Sequence, residues 1–546
     1  MTSRRAPATK ARIIGALVAA LVVGGIVVAG TLFDGSTGPT VGGPTLSSSA
    51  APHPTGGAST SARPTRSASS VVSGSRSPLA VVTGFTNPIE DVSIEQLEAA
   101  VADGSLRVPC GLADLSIGVP AACHRLSTVL ELLEPTSAEL ALLPPGAVSP
   151  SVKVLSVDGA DLFGGPAERS APYALTAAAD VLPEASFEFD PDSVRTVIST
   201  GESCPDRQVA MAAITDGRGW PWVFGGGSAE YSRIYANPIP SGEVGHGFDI
   251  FEAVRTGDDG AIGELLSSAD VTLMGYECPV HADFQIAPVG TTQFGTDPAI
   301  PPLLRNTFGA DVVTLAANHI TDQGIAALEE TIAHFEAAGI ASTGAGMDLA
   351  EALRPAVVEA GGLVIGFVGL NSVPGATDAG VGQPGVASVT EANASVAVAN
   401  ARADGAEVVI CLPEWGWPEY HAELSDDQRR LKSLLFAAGC DHALGRGTHW
   451  VGELDFGSTD DGDPRFTIGS HGNFIFGQGW SQETSEGVIV ELSFVGSRLA
   501  QARLHPYAVL DQAQPNLIDP RTDGRHVLER IFAVSDLPSA DAWLPD

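Results

Sequence analysis

Several stretches of this chain run apolar almost without a break, and each leads to a residue that can hold a metal ion or a proton. They are "RQVAMAAITD", "ADVTLMGYE", "DVVTLAANH", "EVVICLPEW" and "DHALG", the last followed shortly by His449. A continuous apolar run of this kind reads as a strand buried on both faces, which requires a sheet covered by helices. The covering helices are legible too. Behind "DVVTLAANH", Ile325, Leu328, Ile332 and Phe335 make one apolar stripe at helical spacing, and residues 389–403 read as another helix. Residues 425–438 open with Ser425 and Gln428 in capping-box spacing and stop at Gly439. "GLVIGFVGL" adds a strand, and "RFTIGSHGNFIF", "GVIVELSFVG" and "LAQARLHPYAV" predict a β-rich closing section. Strands alternating with covering helices predict an α/β fold.

In such folds the chemistry collects at the carboxyl ends of the strands. Here those ends carry Asp216, Glu277, Asn318 with His319, Glu414 and His449. Oxygen ligands mixed with imidazole suit a divalent cation such as Mn²⁺, Zn²⁺ or Fe²⁺. One acid at a strand end is common in an ordinary turn; a series of them points to a shared polar site.

The formal charge of −36 over 546 residues makes nucleic acid an improbable partner. Arg4, Arg5, Lys10 and Arg12 precede a charge-free segment, 13–33, that is long enough to span a bilayer. The basic flank predicts a signal-anchor with residues 1–33 as cytoplasmic tail and membrane helix, and everything after Asp34 exported. A cleaved signal peptide, cut near Val28-Ala29-Gly30, is the competing reading. Residues 34–78 are nearly all Gly, Ser, Thr, Pro and Ala and predict a disordered stalk. Export agrees with six cysteines, of which Cys110 and Cys123 are the readiest to pair. Cys204, Cys278, Cys411 and Cys440 are either paired or buried thiols, and none has the spacing of a zinc site.

Residues 79–203 mix short strands with a helix over 92–104 that has a Ser start and a Gly stop. Their phrasing resembles phosphate-type periplasmic solute-binding domains; a small α/β spacer domain is the other reading.

Taken in order, the motifs resemble another family more specifically. "ITDG" at 214–217, "GYECP" at 275–279, "LAANHITDQG" at 315–324, "EWGWPEY" at 414–420, "GRGTHW" at 445–450 and "SHGNFIF" at 470–476 are similar to the motif series of CapA-like capsule and poly-γ-glutamate synthesis proteins, a branch of the calcineurin-like metallophosphatase superfamily. The resemblance covers roughly 205–500 and implies an α-β-β-α sandwich over 204–510, with 511–546 as a C-terminal tail. It implies metal ligands at Asp216, Glu277, Asn318, Glu414 and His449, and a role for His319 as acid or orienting group. Glu414 and Gly447 depart from the family, which has histidines there, and Arg446 brings a fixed cation that would suit an anionic polymer or phosphate. Whether catalysis survives these changes is therefore left open by the motifs.

Six of the seven tryptophans fall beside these motifs: Trp220, Trp222, Trp415, Trp417, Trp450 and Trp480. Indole faces around a cleft can cover an extended polymer, so Trp220, Trp415, Trp417 and Trp450, with Asn473, are candidate substrate contacts; packing as a core wall is the alternative. His471 reads as structural. Three functions follow. The first is a membrane-anchored extracytoplasmic accessory of surface-polymer synthesis or export, with an anionic or glycan polymer and other membrane synthesis proteins as partners. The second is a metal-dependent hydrolase of a cell-envelope phosphoester or amide. The third is a catalytically silent polymer-binding module that relies on Arg446 and the tryptophans.

Overall fold

The computed structural model describes residues 76–179, 189–235, 250–257, 259–288 and 290–543. The membrane segment and nearly all of the stalk read from the sequence lie outside the described residues. Among the described residues no helix is long and apolar enough to cross a membrane. Ser77–Pro78, at the end of the expected stalk, already pair with Thr176–Ala179.

Two sheets face each other. The larger, nine-stranded, has at its centre the strands Glu486–Val495, Val194–Ser199, Val271–Gly275 and Val312–Thr314 in that order, the last three mutually parallel. The smaller, six-stranded, has a parallel centre of Leu363–Asn371, Val408–Glu414, His442–Leu444 and Pro464–Ile468. Val197, Leu273 and Val312 of one sheet and Ile365, Ile410 and Leu444 of the other fill the space between them. The outer face of the larger sheet is covered by Ala261–Ser267, Ile300–Phe308 and Gly324–Ala337, through Leu266, Leu304, Leu328 and Phe335. Helices Glu391–Ala403 and Asp426–Ala437 cover the smaller sheet through Val398, Leu431 and Leu435. The layers therefore run helix, sheet, sheet, helix, because every central strand is apolar on both faces.

Local signals are realised where they were strongest. Ser93 and Gln96 form a capping box on the helix Ile94–Asp103, which ends at Gly104 in the left-handed region (φ 78°). Ser425 and Gln428 do the same on Asp426–Ala437. All six cysteines are paired, Cys110–Cys123, Cys204–Cys278 and Cys411–Cys440.

One expected strand is a helix. "RQVAMAAITD" runs helical from Arg207 to Thr215, because Ala-rich segments favour helix and Asp206 caps the first turn by accepting the Arg207 N–H at 2.7 Å. The strand of that region is Val194–Ser199, whose β-branched run enters the centre of the large sheet. The stretch after 511 carries the strand Gln514–Ile518 and the helix Arg525–Val534, both packed on the core through Ile518, Val527 and Ile531. The N-terminal strands meet the large sheet at Arg503, which reaches Asp161 at 2.5 Å, and at Gln501, whose amide oxygen accepts the Val154 N–H.

His442 lies fully inside the smaller sheet, where its Nδ1 accepts the Phe466 N–H, and burial holds its pKa down to about 4. The native imidazole is neutral, while the unfolded chain takes up a proton below about 6.5. Stability should thus be complete above that pH and fall by up to about 3 kcal/mol as the pH drops toward 4. In denaturant unfolding across this window, His442→Asn, which keeps an acceptor and cannot titrate, should lose less stability on acidification than the wild type.

Candidate metal centre

The carboxyl ends of the central strands of both sheets deliver their side chains to one place. Glu202 begins a short strand, Glu202–Cys204, three residues beyond Val194–Ser199; this strand pairs with Asn473–Phe476. Glu277 lies two residues beyond Val271–Gly275, and its N–H donates to the Ser203 carbonyl. Glu414 ends its own strand, and His449 follows His442–Leu444 through a turn in which its φ is 60°. Glu202, Glu277 and His449 each offer a ligand atom, and these atoms all lie within 4.8 Å of one another.

Glu202, Glu277, Glu414 and His449 are all buried, so their charges act strongly on each other. His449 Nδ1 sits 2.5 Å from Glu202 Oε2 and 2.9 Å from Asn473 Oδ1. Burial alone would depress the imidazole, but Glu202, Glu277 and Glu419 outweigh it and lift its pKa to about 10. Glu202 is also desolvated, yet His449, the Gly447 N–H and Arg446 hold its carboxyl below the ordinary value. Glu277 is pushed well above the usual carboxylate range by burial and by Glu202, Glu414 and Glu419, in spite of His449. Burial and Glu202 raise Glu414 likewise, against the pull of Arg446.

Among the described residues three buried oxygens, Glu277 Oε2, Asn318 Oδ1 and Glu414 Oε1, have no hydrogen-bond donor, and the close donor to Glu202 Oε2 is His449 Nδ1, at 2.5 Å. Orphaned acceptors of this kind in a dry site are what a cation would satisfy. Glu202, Glu277 and His449 thus fit a metal ion, with Glu414, whose charge acts on Glu277 and Glu202, beside them; Asn318 is buried, and among the described residues no contact joins it to these three. Asn473, expected to touch substrate, is instead fully buried: it holds His449 through Oδ1, while its amide N–H groups donate to Gln478 and Thr484. Such a partner fixes the orientation of a ligating imidazole.

The other expected residues separate into those that approach the site and those that do not. Asp216 is exposed at the end of the helix Arg207–Thr215 and joins no metal-binding cluster among the described residues. Arg446 is sealed, 2% exposed, its guanidinium donating to Ser199 Oγ and to the carbonyls of Thr200 and Leu444. It is an internal counter-charge for Glu414 and Glu202 and has no face left for a polymer. Gly275 gives it room, since a Cβ there would collide with the guanidinium. Gly447 serves Glu414 in the same way: its φ is 98°, and a Cβ would stand 2.9 Å from Glu414 Oε1.

His319 remains partly exposed and pairs through Nδ1 with Asp322 Oδ2 at 2.8 Å, a contact that orients the ring. Trp220 and Trp415 are buried, their indole N–H groups donating to Asp297 and to the Gly469 carbonyl, so both are wall rather than contact surface. Trp417 (55%) and Trp480 (37%) are exposed, and Trp450 is partly buried. Trp480 meets Tyr420 edge-on, and Tyr420 stacks on His449. The polymer-binding reading keeps Trp417, Trp450, Trp480 and the partly buried Trp222, which the Arg218 guanidinium overlies. His471 is buried, its pKa held down to about 3 by burial and by the nearby Arg446 charge, and its Nδ1 hydrogen-bonds the Gly445 carbonyl, in keeping with a structural role.

Sequence reasoning missed Glu202, Glu419 and Asp322. The signal for Glu202 was present in "VRTVISTGE", a β-branched run ending on Gly-Glu, where the resembled family has Gly-Asp after its first strand.

The Cys204–Cys278 bridge joins the two segments that carry Glu202 and Glu277, its ends 74 positions apart in the sequence. Replacing both cysteines by serine should cost about 4 kcal/mol in denaturant unfolding, and should weaken Mn²⁺ binding because the two carboxylates are no longer tied together. Metal analysis of the full-length chain should find stoichiometric metal that is lost in Glu277→Gln and kept in Asp216→Ala. Under chelator, Glu277→Gln should melt at a higher temperature than the wild type, since it removes a desolvated acid from beside Glu202.

Comparison with known proteins places these motifs. Residues 251–478 match the family model described as bacterial capsule synthesis protein PGA_cap. The chain is 27% identical over 180 residues to the PGA biosynthesis protein CapA of Bacillus subtilis, covering 33% of this chain and 46% of that protein. It is 30% identical over 227 residues to a probable polyglutamine synthesis accessory protein of Mycobacterium tuberculosis, covering 38% and 59%. The chain thus spans about half the length of the curated relatives it matches. A calcineurin-like phosphoesterase of Bacillus subtilis aligns over 63% of this chain and 96% of its own at 14% identity, with a TM-score of 0.32. Residues 251–478 of this chain are therefore similar to the PGA_cap family of bacterial capsule synthesis proteins, the CapA-like family that the ordered motifs resemble.

Proposed function

We propose that this chain is a membrane-anchored, extracytoplasmic CapA-like protein that acts in the synthesis or export of a capsule or poly-γ-glutamate-type surface polymer, through a metallophosphatase-like site holding a divalent cation. The observation that carries the reading is the convergence of Glu202, Glu277 and His449 within 4.8 Å, beside motifs that match the capsule-synthesis family. A ligand set richer in carboxylate than in imidazole favours Mn²⁺ over the softer choices. Export is supported by three disulfides, which persist in oxidising compartments, and by the charge-free segment behind Arg4, Arg5, Lys10 and Arg12.

When bound, the cation supplies a positive centre that polarises a phosphoryl or acyl oxygen. The chain's own residues do the rest. Glu202 and Asn473 fix His449, Arg446 balances Glu414 from inside, and the Tyr420 ring with Phe476 excludes water from the imidazole. His319, oriented by Asp322 and partly open to solvent, can hold or give up a proton at Nε2. That His–Asp pair favours a second reading in which the site hydrolyses an envelope phosphoester or amide.

The test is made in the cell. With protein level held constant, Glu277→Gln in place of the wild type should strip the surface of its polymer, measured as hydrolysed glutamate or sugar in the wall fraction; unchanged polymer would overturn the proposal. Turnover of bis-p-nitrophenyl phosphate by the metal-loaded chain, lost in His319→Ala with metal retained, would favour the hydrolytic reading.

A further inference from the structure

Among the described residues, a half-buried cation beside the candidate metal centre has aromatic rings as its partners and no acid. The guanidinium of Arg207 lies 4.4 Å from the centroid of the Phe294 ring and 5.7 Å from that of Phe476. Among the described residues it makes no hydrogen bond and no ion pair. Its neighbour Asp206 is already engaged, accepting the backbone N–H groups of Arg207, Ala287 and Gly295. The residue also sits at φ 45°, a conformation a side chain of this size seldom adopts, so the chain is bent to put it there.

The two rings that hold Arg207 are those that touch the two histidines. Phe294 meets His319 edge-on at 4.6 Å, and Phe476 meets His449 edge-on at 5.2 Å. Arg207 therefore stands between His319 and the Glu202, Glu277 and His449 cluster, and the charges of Asp206, Glu277 and Tyr420 act on its guanidinium. Rings packed against a guanidinium restrain its swing while its N–H donors stay available, which lowers the entropy lost on binding. A chain with a formal charge of −36 repels a polyanion at long range, so an anionic substrate needs a fixed cation at the point of contact. Arg446 cannot serve, since it is sealed.

We propose that Arg207 is the anion-recognising residue of this site, its planar fork gripping a phosphate or carboxylate group of the substrate and presenting it between His319 and the metal-binding cluster. This rests on the reading of that cluster as the substrate-bearing centre.

Calorimetric titration of the full-length, Mn²⁺-loaded chain with inorganic phosphate and, separately, with γ-glutamylglutamate decides the matter, with metal content measured on every sample. One of the probes should bind the wild type: phosphate if the substrate is a phosphoester, the γ-linked dipeptide if it is the carboxylate polymer. Arg207→Ala should weaken that binding by about ten- to a hundredfold with metal content unchanged. Arg207→Lys, which keeps the charge and the packing stem and loses the fork, should recover only part of it. Equal binding by wild type and both variants, or no binding of either probe to the metal-loaded wild type, would overturn the proposal. Loss of metal from the wild type would instead sink the metal reading, and the same titrations on the metal-free chain would still judge Arg207.

Discussion

Carboxylates that share a dry pocket repel one another, and a fold that brings them together must supply positive charge or keep them protonated. Glu202, Glu277 and Glu414 are each nearly or wholly buried, with Glu419 close enough to add to the repulsion. Inside this group the chain provides His449 and Arg446, and still leaves Glu277 and Glu414 with carboxyls pushed far above their ordinary range. Carboxyls raised in this way keep their protons unless a cation takes the protons' place, so the cluster is suited to hold one. A cation and the proton of His449 compete for the same carboxylates, so binding is coupled to proton release.

The architecture is what makes this crowding feasible. Parallel central strands in both sheets end on the same side of the molecule, and each contributes from its carboxyl end. The Cys204–Cys278 bridge ties the Glu202 and Glu277 segments together, and Asn473 holds His449 from a neighbouring strand. Two glycines complete the fit. Gly275 makes room for the Arg446 guanidinium, and Gly447 leaves space for the Glu414 carboxylate, so the departures from the family's histidines come as a matched set.

Much of this was legible in the chain. Strands such as those ending near Glu277, Asn318 and Glu414 announce themselves by continuous apolar runs, and the caps at Ser93 and Ser425 are local signals with local causes. What was not legible depended on contacts between distant residues. The apolar look of "RQVAMAAITD" hid a helix favoured by alanine and the Asp206 cap, which moved Asp216 out to solvent and left Glu202 as the acid of that region. Arg446 faces inward only because Gly275, 171 positions earlier by the numbering, is small. Trp415 and Trp417 stand two apart, yet one bonds the Gly469 carbonyl inside the core and the other lies open. Side-chain burial of this kind is decided by tertiary packing, which no local pattern encodes.

The central claim is that Glu202, Glu277 and His449 enclose a cation. Crystals of the protein soaked in Mn²⁺ and measured at the manganese edge test it most directly. An anomalous peak between these three side chains is the expected result; an empty centre, with peaks only at exposed acids such as Asp216, would contradict it.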